Sequence, residues 1–293
     1  MYKPSKRLEG AHREAIWSIC WNSSGGLLSG SLDGTTKLWS GDLEFQGESA
    51  PQNMGITSVV PFTDGSKAVT CCQDGNISIL GLPGMQQEQG IAAGLQQAWT
   101  VCLSPGNDVI ASGTHSGAVN IWSVTDCTKA LSIETGCGFI MNSAFHPDGA
   151  QIATSGTDGI LNIIDIATQR VAHKIDAHSL PARCVKYFPD GDLIMTASDD
   201  RHVCVFDTRS GTVINSFSHS GMTLSLDISP NQKKIAVGCS NHTVAIWDIG
   251  MQRVFQTMDS QHAEPVWSVS YSLDGQRLAS VGDDGLIQLY ECH

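Results

Sequence analysis

Near its N-terminus the chain carries the three side-chain types of a serine hydrolase triad, in His12, Ser31 and Asp33. In such a triad the aspartate orients the histidine, which takes the proton of a serine that attacks an acyl group. The same residue types return later in the chain, and in both places an aromatic residue follows the aspartate by six positions. The two sets comprise His12, Ser31, Asp33 and Trp39, and His178, Ser198 and Asp200 followed by Phe206. A repeated set favours a structural hydrogen-bond network, because buried imidazole, hydroxyl, carboxylate and indole groups can satisfy one another. We therefore predict that the protein is not an enzyme.

Ten cysteines could in principle bind zinc or form disulfides. No two of them have the Cys-x-x-Cys spacing of zinc and redox motifs. Cys71 and Cys72 are adjacent, so a strand would place their side chains on opposite faces. Cys20 and Cys102 lie in apolar strand segments, where a thiol behaves as a small buried group. The sequence predicts reduced structural thiols, no metal and no cofactor.

The segments that hold these residues repeat along the whole chain. The Asp33-Gly34 turn between alternating residues predicts a β-hairpin. A small polar residue occupies the same turn position seven times, at intervals of 41, 42, 42, 42, 41 and 43 residues. These markers are Asp33, Asp74, Ser116, Asp158, Asp200, Asn241 and Asp284. A period in the low forties is typical of four-stranded blades, so we predict an all-β, seven-bladed β-propeller.

Each repeat predicts four strands, the second apolar on both faces, as expected for a strand buried between blades. In the second repeat, Pro61 is predicted to interrupt the first strand. The last repeat stops after its third strand, whereas residues 1–9 precede the first histidine without a repeat of their own. We predict that the segment around Lys6-Arg7-Leu8 supplies the outer strand of the last blade and closes the ring. Residues 1–293 would then form a single domain.

Two registers of residues recur at the blade period and predict where a partner binds. The first register is the residue at the start of each first strand: Trp17, Thr57, Trp99, Met141, Arg183, Leu224 and Trp267. The second register is the residue just before each turn marker: Leu32, Gln73, His115, Thr157, Asp199, Ser240 and Asp283. A propeller would bring both registers to one end of its central channel, which we call the top face.

Tryptophan, methionine and arginine are enriched in protein interfaces and their hot spots. We predict that the top face binds a short segment of a partner protein. The tryptophans would supply apolar area, and Arg183, Asp199 and Asp283 would fix the orientation of the segment. The predicted partner-binding residues are Trp17, Trp99, Met141, Arg183, Leu224, Trp267, His115, Asp199 and Asp283.

The net charge of −12 and the isoelectric point near 5.1 argue against direct binding of nucleic acid, which requires clustered Lys and Arg. No stretch approaches 18 consecutive apolar residues, so no membrane span is predicted. The basic N-terminal residues lead into no apolar segment of signal-peptide length. We expect a soluble intracellular protein.

The repeats resemble the WD-repeat β-propeller family over the full length of the chain. Within that family the sequence looks like the WD-repeat subunits of the superkiller complex, which feeds RNA to the exosome for 3′-to-5′ decay. The segments that carry the resemblance are residues 12–18, 98–100, 111–121, 158–168, 196–200 and 280–284. The run GTHSGAVNI at residues 113–121 is the most specific of them, because serine is unusual at the turn marker of WD repeats.

The resemblance implies a non-catalytic scaffold that binds a tetratricopeptide-repeat subunit and a helicase and is monomeric outside its complex. It also implies a second membership in the polymerase-associated factor complex on transcribed chromatin, a place in both cytoplasm and nucleus, and a role of fungal relatives in meiotic recombination. A propeller is also compatible with two other functions. An enzyme would need ionisable groups that converge on the channel mouth. A reader of modified peptides, such as histone tails, would use the tryptophans to enclose a methylated lysine.

Overall fold

The computed structural model describes residues 1–292, which form 28 strands in seven antiparallel sheets of four strands each. The prediction of an all-β, seven-bladed β-propeller is confirmed. Over the same residues, no helix has the length and apolar character needed to cross a membrane. Contacts group the chain into two compact units, residues 1–72, 78–89 and 224–292, and residues 73–77 and 90–223. The single domain over residues 1–293 stays a prediction.

The first unit holds blades 1 and 7 and most of blades 2 and 6. Blade 1 consists of β2 Ile16–Trp21, β3 Leu27–Ser31, β4 Thr36–Trp39 and β5 Phe45–Glu48. Blade 2 consists of β6 Ile56–Pro61, β7 Lys67–Cys72, β8 Asn76–Gly81 and β9 Gln86–Ala92. Blade 6 consists of β22 Thr223–Ile228, β23 Lys234–Cys239, β24 Val244–Asp248 and β25 Arg253–Met258. Blade 7 consists of β26 Val266–Tyr271, β27 Arg277–Gly282, β28 Ile287–Cys292 and β1 Tyr2–Leu8.

The second unit holds blades 3, 4 and 5. Blade 3 consists of β10 Thr100–Leu103, β11 Val109–Gly113, β12 Ala118–Ser123 and β13 Lys129–Glu134. Blade 4 consists of β14 Ile140–Phe145, β15 Gln151–Gly156, β16 Ile160–Asp165 and β17 Arg170–Asp176. Blade 5 consists of β18 Ala182–Tyr187, β19 Leu193–Ser198, β20 His202–Asp207 and β21 Val213–Ser218.

The hydrophobic core lies between neighbouring blades within each unit. The second strand of each blade is almost wholly buried, as its apolar sequence predicts, whereas outer strands such as β13 and β21 are largely exposed. In blade 2, Leu80 stands where several repeats have Trp, and it packs with Leu28 and Leu38 of blade 1. An aliphatic residue therefore fills the same interface with less volume.

The N-terminal strand completes the last blade. β1 pairs antiparallel with β28, from Tyr2 opposite Cys292 to Leu8 opposite Ile287. The hydroxyls of Tyr2 and Tyr271 lie 2.8 Å apart in the core, and Gln256 bonds both the N–H and the C=O of Tyr2. The prediction that residues around 6–8 supply the missing outer strand is confirmed.

The prediction that Pro61 interrupts the first strand of blade 2 is wrong. Pro61 is the last residue of β6 and lies opposite Ala68 of β7. β6 is an edge strand that pairs only with β7, so the missing N–H of a terminal proline costs the sheet little. Blade 2 is therefore a regular four-stranded sheet.

Candidate functional site

The triad-like residues of blade 1 form a buried hydrogen-bond network. His12 Nδ1 lies 3.0 Å from Asp33 Oδ2, and His12 Nε2 lies 2.7 Å from Ser29 Oγ. The indole N–H of Trp39 donates to Ser29 Oγ at 2.9 Å. One assignment satisfies every group: His12 donates from Nδ1, Ser29 donates to Nε2, and Ser29 accepts from Trp39. The His12 side chain is 0% exposed, so no acyl substrate can reach it.

The prediction that Ser31 supplies the hydroxyl of this network is wrong, because Ser29 bonds both His12 and Trp39. Trp39 lies opposite Leu27 in the β3–β4 ladder, so its indole reaches the hydroxyl two residues along the same face of β3. Ser31 ends the strand, where it accepts the N–H of Asp33 and donates to the C=O of Glu14. Its role is to fasten the turn.

Blade 5 has the same offset. His178 bonds Asp200 through Nδ1 at 3.0 Å and Thr196 through Nε2 at 2.7 Å, so the predicted Ser198 is also wrong. Ser198 instead accepts the N–H of Asp200. Phe206 supplies no donor here, which leaves the network one member shorter than in blade 1. Blade 7 repeats the arrangement with His262, Ser280, Asp284 and the hydroxyl of Tyr290.

Burial decides the charge states in blade 1. Burial lowers the pKa of His12 despite the opposing attraction of Asp33, so the imidazole is neutral at pH 7. Burial opposes ionisation of Asp33, but hydrogen bonds from Thr35 and the proximity of His12 outweigh it and lower the pKa of Asp33 to about 2. The contact between the two is a hydrogen bond from a neutral ring to a carboxylate.

Replacing Ser29 by Ala is expected to destabilise the protein by about 2–4 kcal/mol, because it leaves the buried Trp39 N–H and His12 Nε2 without their partner. Ser31→Ala is the matched control: Ser31 is also buried, but its partners are partly buried backbone groups of Asp33 and Glu14, so the expected loss is about 1 kcal/mol. Urea unfolding of the two variants measures the difference. Equal losses would contradict the assignment of Ser29 to the network.

Acid should weaken the fold well above the pKa of its carboxylates. Burial, with a smaller electrostatic contribution from nearby His202, lowers the pKa of His219 to about 4. Burial also lowers the pKa of His12 and His178. An unfolded imidazole has a pKa of about 6.5, so the unfolded chain takes up protons first as the pH falls.

We expect the free energy of unfolding to decrease by roughly 2–3 kcal/mol from His219 alone between pH 7 and pH 4. Below pH 4 the loss continues, because the pKa of Asp33 is depressed to about 2 and the unfolded carboxyl protonates earlier. Urea unfolding at pH 7, 6, 5 and 4 checks this. In the variant His219→Asn the free energy of unfolding should decrease less between pH 7 and pH 5. A stability that is constant from pH 7 to pH 5 would contradict it.

Five of the first-register residues lie at bulges in the ladders between first and second strands. In blade 1, Ile16 pairs with Ser31 and Ser18 pairs with Gly30, which leaves Trp17 as the extra residue. The same interruption falls at the first-register residue in four further blades: Thr57, Met141, Arg183 and Trp267. A bulge takes a residue out of the regular alternation and re-aims its side chain. These side chains are half-buried.

Trp17 and Trp267 of the first unit lie against each other. Their ring centroids are 5.7 Å apart with an interplanar angle of 44°. The indole N–H of Trp267 donates to Asp283 Oδ1 at 2.7 Å, and Asp283 is exposed. Two aromatic rings beside an exposed carboxylate form a surface complementary to a cation.

In the second unit, Trp99 belongs to a cluster of three rings. His115 stacks on Phe139 at 4.2 Å with an interplanar angle of 5°, and Trp99 meets both edge-on at 5.6 and 5.2 Å. All three side chains are half-buried. Sequence reasoning missed Phe139 because it lies in the segment before β14, outside both registers. The sequence feature that could have identified Phe139 is its position directly before the first strand of a blade.

The other predicted contact residues differ in their burial and hydrogen bonding. Arg183 bonds Asp199 through two parallel contacts, from Nε to Oδ1 at 2.7 Å and from Nη2 to Oδ2 at 2.8 Å. Met141 is half-buried. The prediction that Leu224 offers contact area is wrong, because it is only 6% exposed within an almost wholly buried segment of β22.

Metal-binding residue types do not gather into groups of three or more in metal-holding geometry anywhere in residues 1–292. The ten cysteines carry free thiols. Burial raises the pKa of Cys102 to about 12, since desolvation outweighs its hydrogen bond with Ser143. That thiol is therefore a protonated core group at neutral pH.

Comparison with known proteins gives two family matches. The family described as "WD domain, G-beta repeat" matches residues 2–40, 95–123, 127–165 and 169–207. The family described as "Anaphase-promoting complex subunit 4 WD40 domain" matches residues 226–293.

Among similar proteins is WD repeat-containing protein SL1-17 of Schistosoma mansoni, 30% identical over 301 residues that cover 100% of both chains. A guanine nucleotide-binding protein subunit beta of Oryza sativa subsp. japonica is 28% identical over 67% of this chain, which spans 55% of that relative. Meiotic recombination protein rec14 of Schizosaccharomyces pombe is 26% identical over 69% of each chain.

Proposed function

Because this chain belongs to the WD40-repeat family, we propose that it is the WD-repeat scaffold subunit of a superkiller complex. Propellers of this family are generally non-catalytic and suited to binding protein partners. The observation that carries an interaction role here is the half-buried Trp17–Trp267 pair beside the exposed Asp283. Such aromatic residues supply hot-spot area that a partner can cover.

The particular complex is supported by the sequence. The run at residues 113–121, with Ser116 at the turn marker, carries the resemblance to superkiller WD-repeat subunits. A relative named for meiotic recombination agrees with the second role which that resemblance implies for fungal members. In this proposal the partners are a tetratricopeptide-repeat subunit and a helicase, and the complex supports exosome-mediated 3′-to-5′ mRNA decay. Membership in the polymerase-associated factor complex is a further part of the proposal.

Affinity purification of the tagged full chain from its source organism tests the proposal. We expect the tetratricopeptide-repeat subunit and the helicase to co-purify in near-stoichiometric amounts and to remain in 0.5 M salt, about the strength that screens weak surface contacts. The purified tetratricopeptide-repeat subunit should then bind the purified chain directly. Recovery of neither protein would overturn the assignment to this complex.

The Trp17–Trp267 pair beside Asp283 also favours a second candidate, a reader of cationic peptides such as histone tails in a chromatin complex. Titration of the chain with unmodified and trimethylated lysine peptides, followed by tryptophan fluorescence, separates the two. Binding that requires the methyl groups favours the reader.

We propose that the protein is present in both cytoplasm and nucleus, as membership in the two complexes requires. Imaging of the chain tagged at its C-terminus in the source cells tests this. Confinement to one compartment would remove the complex of the other compartment from the proposal.

A further inference from the structure

In three blades, contacts with the same sequence spacing join the two registers. In three blades the first-register residue contacts the second-register residue sixteen positions later: Trp99 with His115, Arg183 with Asp199, and Trp267 with Asp283. The three contacts differ in chemistry, since one joins two rings, one is a two-bond ion pair and one is an indole hydrogen bond. Their shared spacing indicates a device of the blade, independent of the residue types.

The hairpin of the first two strands explains the spacing. In blade 7, Val266 pairs with Gly282. The residues that follow each of them, the bulged Trp267 and Asp283, therefore lie at the same end of the hairpin. In blade 5, Ala182 pairs with Ser198 and places Arg183 beside Asp199 in the same way. The backbone N–H groups of Asp283 and Asp199 donate to Pro265 and Pro181 at 3.1 and 3.0 Å. The second-register backbone is thus fastened to the segment that leads into the first strand.

A bulged side chain has left the ladder and needs another contact to fix its rotamer. Asp283 holds the Trp267 indole through a 2.7 Å bond, and that indole packs on Trp17. Asp199 holds the guanidinium of Arg183 in a planar fork. Trp99 is not bulged but lies just before β10, and His115, stacked on Phe139, packs against it at a nearly perpendicular angle.

We propose that His115, Asp199 and Asp283 are positioning residues, which set the orientation of Trp99, Arg183 and Trp267 in advance of partner binding. This rests on the proposed function, that first-register residues contact a partner protein. It differs from direct recognition, in which the carboxylate of Asp283 itself pairs with a cation of the partner. Preorganised anchors bind more tightly because less side-chain freedom is lost on association.

Asp283→Asn and Asp283→Ala separate the two roles. Asparagine keeps an oxygen that accepts the Trp267 N–H but removes the charge, whereas alanine removes both. The indole cross-peak of Trp267 in a ¹H–¹⁵N spectrum, assigned with Trp267→Phe, reports the bond, and binding of the purified tetratricopeptide-repeat subunit reports function. We expect the asparagine variant to keep the peak position and to bind within about threefold of the parent. We expect the alanine variant to shift the peak and to bind at least about tenfold more weakly.

Equal weakening in both variants, with the peak of the asparagine variant unmoved, would overturn the proposal in favour of direct charge recognition. If the parent chain does not bind the tetratricopeptide-repeat subunit, the proposed function fails and the spectrum alone decides the positioning role. An indole peak that stays in place in the alanine variant would then overturn it.

Discussion

Deletion of residues 1–9 is expected to lower the melting temperature by roughly 10–20 °C, or to prevent folding at 37 °C. The deletion removes β1, and with it the ladder to β28 and the buried Tyr2, which is 5% exposed. Burying one large side chain contributes about 2–3 kcal/mol and each net backbone hydrogen bond about 1 kcal/mol, so the loss amounts to several kcal/mol. The hydroxyl of Tyr271 would also lose its partner in the core.

Differential scanning calorimetry of the deletion variant beside the full chain measures the effect. Lys6→Ala is a suitable control, because Lys6 is exposed on β1 and its loss leaves the ladder in place. Tyr2→Phe should give a small intermediate loss of about 1 kcal/mol, since it removes only the hydroxyl. A deletion variant that melts with the full chain would show that the pairing of β1 with β28 adds nothing to stability.

The repeat period alone predicts the fold class. Turn markers spaced by 41–43 residues predict seven blades, and the missing outer strand of the last repeat predicts the place of β1. These features follow from strand alternation and turn chemistry, which are local patterns that recur in every repeat. The sequence predicts less well which of two similar side chains makes a particular hydrogen bond.

Ser29 and Ser31 illustrate the limit. Both lie on β3, two residues apart, so alternation puts them on the same face and the sequence pattern cannot choose between them. The choice depends on the reach of the Trp39 indole across the β3–β4 ladder, which is a tertiary distance. Blade 5 shows the same ambiguity between Thr196 and Ser198.

The site showed a similar division. The blade period predicted which residues share a register, and bulges in five blades fall on the first register. Burial of Leu224 was not predictable, because a leucine suits an exposed rim and a buried strand equally well. The stack of His115 on Phe139 required two segments that no repeat pattern relates.

The largest effect on binding is expected from replacing Trp99 and Trp267 by Ala in one protein. Each replacement removes the ring at the centre of one cluster, Trp99 from His115 and Phe139, and Trp267 from Trp17. Truncation of a central interface tryptophan typically costs 2 kcal/mol or more, so the double variant should bind the proposed partner, a tetratricopeptide-repeat subunit, at least about 100-fold more weakly. Isothermal titration calorimetry with the purified partner gives the ratio.

Folding of the double variant must be shown separately, and the half-buried position of both rings makes a large loss of stability unexpected. Thr57 occupies the first register of blade 2, which shows that a blade forms without a large side chain at this position. The matched control is Trp122→Phe, a substitution in the core of blade 3 that should lower stability and leave partner affinity unchanged. A folded double variant that binds the partner as the parent does would remove the first register from the interface, and the scaffold would then have to use another surface.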